Sequence, residues 1–157
     1  MNELSMTRRE AMTAAVAALI GSSLARAQAP KTEPWTAAQA LQPGDLVKEL
    51  RGATANRPTV VCTGVRALYR AGHVPGASFH GPAGSSEGLA DLKQWAEPLP
   101  RSTNLVLYCG CCPFDVCPNV RPAFTTLRDM GFTRLRVVIM PKNFATDWVG
   151  NNYPVES

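Results

Sequence analysis

Residues 105–121 read LVLYCGCCPFDVCPNVR: an apolar run, a loop holding four of the chain's five cysteines, and the first residues of a helix. A buried strand turning sharply into a helix is the layout with which α/β proteins hold reactive groups. The four sulfurs, Cys109, Cys111, Cys112 and Cys117, leave three readings open. They are a nucleophile with helpers, a disulfide clasp, or a metal site.

Outward from this stretch, strand and helix signals alternate. Residues 59–62 (TVVC) form a β-branched run between Pro58 and Gly64, which predicts a buried strand. Cys62 ends that strand as Cys109 ends the next, so the two can be neighbours across a sheet. Short helices are predicted over 43–50, with Leu46, Val47 and Leu50 on one face, and over 66–71, ended by Gly72. The turn at 73–77 leads to a short edge strand. Ser86 is expected to cap a helix to Ala96, and Asn119 one that carries Pro122 in its first turn and ends near Met130. A strand over 135–140 and a helix from Asn143 through Trp148 close the chain. Alternating strands and helices imply a mainly parallel sheet with helices on both faces, three layers in all.

The chain has 157 residues, one domain's worth, with 45% hydrophobic residues and a formal charge of +4. No basic run stands out, which argues against a nucleic-acid or lipid surface. Arg8 and Arg9 precede an apolar stretch that ends in Ala25-Arg26-Ala27, the pattern of a twin-arginine-like signal peptide over residues 1–27. The apolar stretch is too short to span a bilayer as a mature helix. A polar linker follows over 28–36. Export to the periplasm or outside the cell places the cysteines under oxidising conditions.

Three stretches resemble the rhodanese-like domain family. Tyr69-Arg70-Ala71-Gly72-His73-Val74-Pro75-Gly76-Ala77 is close to its E-Y-x-x-G-H-I-P-G-A. Leu105-Val106-Leu107-Tyr108-Cys109 places Cys109 on its catalytic cysteine. Gly131-Phe132, Trp148 and Tyr153-Pro154-Val155-Glu156 are similar to its tail. The likeness implies one rhodanese-like domain over 37–157. It also implies a sulfurtransferase that carries sulfane sulfur as a persulfide on Cys109 and passes it to a thiol or other nucleophile. The departures cluster at the site end of the sheet. Cys62-Thr63-Gly64 stands for the usual Asp-Val-Arg, Pro141-Lys142-Asn143 for a Gly-Gly, and the cysteine loop is enlarged.

Each reading names its residues. For sulfur transfer, Cys109 is the nucleophile, its thiolate favoured by loop amides and a helix N-terminus. Arg121, Gly110 and Asn119 are the expected substrate-binding residues, Arg121 for a small sulfur-containing anion. For the clasp, Cys111 or Cys112 pairs with Cys117; an exchangeable pair would instead relay sulfur or electrons to a protein thiol or periplasmic redox partner. For metal, Cys109, Cys111, Cys112 and Cys117 could wrap a thiophilic ion in a non-catalytic binding domain. Cys62 reads as a small buried hydrophobe unless it meets the loop. His73 reads as a turn-stabilising residue, His80 as solvated, and Trp95, Phe124 and Trp148 as packing.

Overall fold

The computed structural model describes residues 32–157. The signal peptide expected over 1–27 and the first part of the linker lie outside the described residues. Five strands, β1 (Ala40–Leu41), β2 (Thr59–Cys62), β3 (Ser78–Phe79), β4 (Asn104–Tyr108) and β5 (Arg134–Val138), form one sheet in the order β1-β5-β4-β2-β3. Every pairing is parallel, with Cys62 opposite Tyr108 and Leu107 opposite Val137. Among the described residues, four α-helices join successive strands, α1 (Pro43–Arg51), α2 (Arg66–Ala71), α3 (Ser86–Ala96) and α4 (Val120–Asp129), and α5 (Phe144–Asp147) follows β5. This is the expected three-layer α/β arrangement.

Alternation along the strands divides the core in two. Val61, Leu105, Leu107, Leu135 and Val137 pack with Leu92, Phe124 and Leu127 of α3 and α4 on one face. Val60, Cys62, Val106, Tyr108 and Val138 pack with Leu46 and Val47 of α1 and with Trp148 on the other. Both faces of β4 are therefore covered, which is why its sequence reads as a continuous apolar run. Burying a Leu or Val side chain contributes about 1.5–3 kcal/mol, so these two seams hold the sheet between the helices. No helix among the described residues is long and apolar enough to cross a membrane.

The structure differs from the sequence reading in four places. β1 is only two residues long and pairs with β5; so short a strand carries no readable period. Ser85, not Ser86, caps α3, its Oγ accepting the Gly88 N–H at 3.0 Å. His80 is not simply solvated: Nδ1 lies 3.1 Å from Asp91 Oδ2 and the ring stacks on Trp95. The last residues of the expected linker belong to the compact unit, which runs from Thr32 to Ser157. Trp35 packs against Phe114 and Phe124, at ring separations of 5.5 and 5.3 Å.

The 69–77 turn is clipped to the chain's last residues. His73 Nδ1 lies 2.9 Å from Tyr69 O, and the two rings stack at 3.9 Å. The backbones of His73 and Glu156 exchange hydrogen bonds of 2.9 and 3.0 Å. His73 thus has the turn-stabilising contacts expected of it.

Candidate functional site

β4 is the central strand, and its C-terminal end delivers Cys109 to the edge where parallel sheets place their sites. Cys109 is 8% exposed. Gly110 follows with φ +69°, and a Cβ there would lie 2.8 Å from Phe144 Cβ. Glycine lets the chain reverse under α5, where Gly110 O accepts the Phe144 N–H at 2.9 Å. A 3-10 turn, Phe114–Val116, then carries the chain to Cys117 and α4. Phe114 N–H reaches Pro141 O at 3.3 Å, tying the loop to the segment after β5.

The loop gathers its sulfurs. The Sγ atoms of Cys109, Cys111, Cys112 and Cys117 all lie within 4.8 Å of one another. Cys109 and Cys111 are 3.0 Å apart, Cys111 and Cys112 3.4 Å. All five cysteines are free thiols, and these separations exceed a disulfide's length of about 2.05 Å. The expected clasp is therefore not what orders the loop in this structure. Cys62 does meet the site, as the register of β2 against β4 requires: its Sγ lies 3.9 Å from Cys109 O. Its sulfur stands outside the group of four, and burial pushes its thiol up to about 11.

Asn119 serves differently from the helix cap its position suggests. Its side chain caps nothing. Instead Oδ1 accepts the Gly84 N–H at 2.8 Å, which turns both amide hydrogens toward the sulfurs. Nδ2 then donates to Cys109 Sγ at 3.4 Å and Cys111 Sγ at 3.5 Å.

Arg121 is also corrected. Nε and Nη2 hold Glu33 in a bidentate pair at 2.9 and 2.6 Å. Nη1 donates to the carbonyls of Phe114 and Cys117 at 3.1 and 3.4 Å. The guanidinium also sits over the rings of Trp35 and Phe114. Committed on every nitrogen, it braces the loop rather than awaiting an anion. Neither Glu33 nor Trp35 carries a sequence signal for this duty, because the partners are distant in the chain.

Within the group, Cys117 is the thiol held down. The Cys109 thiol donates to its sulfur, and the N–H groups of Asn119 and Val120 converge there too; together they hold Cys117 down to about 5 despite burial. Cys109 is driven up, first by donating to Cys117 and then by burial. The sequence places the thiolate on Cys109, where loop amides and a helix N-terminus are expected to favour it. The amides at the start of α4 point at Cys117, while the Cys111 N–H serves Cys109.

Beside Cys109 opens a cavity of about 530 Å³. Its floor is Cys109, Gly110 and Cys111, and its walls include Leu68, Tyr69 and Phe144. Among the described residues, no Lys, Arg or His lines it. Leu68, Val149 and Val155 at its mouth are exposed by 51%, 46% and 44%. A hollow of similar size at the opposite end of the sheet is lined by Glu49 and Arg136, which pair with each other at 2.6 and 2.7 Å. Among the described residues no cysteine lines it.

No family model and no curated protein matches the chain. Solved structures do. A solution NMR structure of the rhodanese-like domain of the Alr3790 protein from Anabaena sp. matches with a TM-score of 0.54 at 21% identity, over 76% of this chain and 79% of that one. A crystal structure of the Alr3790 protein matches with a TM-score of 0.57 at 20% identity, over 74% and 82%. The likeness is one of fold.

Proposed function

We propose that this chain, whose fold is rhodanese-like, is an exported sulfurtransferase-type enzyme of the periplasm or cell exterior that carries sulfane sulfur on Cys109. One observation carries the reading: Cys109 ends the central strand at the floor of the cavity, with the Cys111 sulfur 3.0 Å away. The Cys117 thiolate accepts the Cys109 proton as the Cys109 sulfur attacks the outer sulfur of a donor persulfide, R–S–SH. A new S–S bond forms at Cys109, the donor's S–S bond breaks, and the donor leaves as a thiol with the proton. An acceptor thiolate then attacks the terminal sulfur and restores Cys109. Alternatively Cys111 attacks the Cys109 sulfur. That step releases sulfide and leaves a Cys109–Cys111 disulfide, which a partner dithiol reductant reopens.

The lining selects the donor. An inorganic anion such as thiosulfate would lose its hydration with no cation among the described lining residues to receive it, and Arg121 is held by Glu33. Leu68, Tyr69 and Phe144 suit a neutral donor with an apolar substituent. Reduced protein incubated with an alkyl persulfide should gain the mass of one sulfur on the peptide bearing Cys109, and lose it to added thiol. Cys109→Ser should gain none. Thiosulfate should load at least about tenfold more slowly, the factor that 1.4 kcal/mol of lost solvation produces. Equal loading by thiosulfate removes the donor assignment, and transfer retained by Cys109→Ser removes the enzyme.

A further inference from the structure

We infer that Cys109, Cys111, Cys112 and Cys117 form a binding site for one soft, thiophilic metal ion, of the Zn(II) or Cu(I) class. Three observations converge on it. The first is size. Four thiolates placed tetrahedrally around one ion at about 2.3 Å stand about 3.8 Å apart. The four sulfurs here already lie within 4.8 Å of one another, and two of their separations are 3.0 and 3.4 Å. Small side-chain rotations bring such a group onto one ion. A multi-iron cluster puts its cysteines on different irons and needs them spread wider.

The second observation is the donor set. It is four sulfurs with no carboxylate or imidazole in the group, which selects soft ions over calcium, magnesium or manganese. The third is the surrounding shell. Four thiolates around a divalent ion leave a net negative charge, and such sites are steadied by N–H groups aimed at sulfur. Asn119 Nδ2 donates to Cys109 and Cys111, and its orientation is fixed by the Gly84 N–H. The Asn119 and Val120 amides serve Cys117. Arg121 fixes the loop through the carbonyls of Phe114 and Cys117. Cys111 and Cys112 are only partly buried, which leaves a way in.

The inference does not depend on the sulfurtransferase reading. The two compete for one atom: an ion on Cys109 Sγ removes the nucleophile, so a loaded chain cannot accept sulfane sulfur until the ion leaves. The test uses the reduced chain lacking residues 1–27, under argon, titrated with Co²⁺ and then Zn²⁺. The expected result is one Co²⁺ per chain, with the ligand-field bands of tetrahedral thiolate, displaced by Zn²⁺. Cys112→Ser should weaken Zn²⁺ binding at least about tenfold, and Cys62→Ala should leave the stoichiometry unchanged. Circular dichroism confirms that both variants are folded. Octahedral bands, a stoichiometry other than one, or affinity indifferent to Cys112→Ser would overturn the site. Sulfur loading of the metal-free chain is followed in parallel. If loading fails while Co²⁺ binds tetrahedrally, the metal site stands and the transfer reading falls. If loading proceeds equally with Zn²⁺ bound, Cys109 is not a ligand and the four-sulfur site is wrong.

Discussion

Gly64 has no room for a side chain. A Cβ there would lie 2.7 Å from Cys109 O and 3.1 Å from Cys109 Sγ, so the end of β2 presses bare backbone against the candidate nucleophile. Gly64→Ala should push Cys109 out of place. Alkylation of Cys109, followed by peptide mapping, should change rate at least about threefold, and a rate equal to the parent's refutes the contact's importance. Asn119 makes a different kind of contact, joining three partners through one buried amide. Asn119→Ala leaves the Gly84 N–H and two sulfurs unserved. The expected loss is about 1–3 kcal/mol, read as a fall in the denaturant midpoint at constant slope. At this scale the sequence was only half legible. Cys109 could be named because residues 105–109 resemble the strand end and catalytic cysteine of the rhodanese-like family. The duties of Gly64 and Asn119 could not, because each depends on a neighbour brought up from elsewhere in the chain.

The enlarged loop behaves as an element in its own right, braced from outside by Glu33, Trp35 and Arg121. The Arg121 and Glu33 side chains are 25% and 30% exposed. Solvent screens such a pair, and its contribution to global stability is small, about 1 kcal/mol or less. Its effect should instead be local. Glu33→Gln should raise amide hydrogen exchange across residues 114–117 severalfold while the melting temperature barely moves. Unchanged exchange in the loop would show that Phe114 packing alone orders it. Among the regular elements, those with several turns or alternations announced themselves: α3, α4, β2 and β4 were all readable. β1, with two residues, and the 3-10 turn at Phe114–Val116 were not. Elements this short draw their stability from what they touch, and propensity hardly marks them.

At the scale of the whole molecule, one central strand is sandwiched by two apolar seams, and the site sits where that strand ends. The two properties should separate. Trp148 is fully buried against α1 and the sheet, and its Nε1 donates to Pro154 O at 2.8 Å. Trp148→Ala should cost about 3–5 kcal/mol by chemical denaturation. Thiol reactivity of the surviving folded fraction should match the parent's; a parallel change would mean that this seam positions the sulfurs. The sheet, its layers and its parallel sense were legible in the sequence because strand and helix signals alternate, divided by turn residues, from residue 43 to residue 148. The bracing of the loop was not, and it has a further consequence. Arg121 and Glu33 are separated by 88 positions. Synthesis proceeds from the N-terminus, so Glu33 and Trp35 emerge long before the surface that receives them. They can be seated only once Phe114, Arg121 and Phe124 have been made. Until then the loop that carries the four thiols lacks this brace.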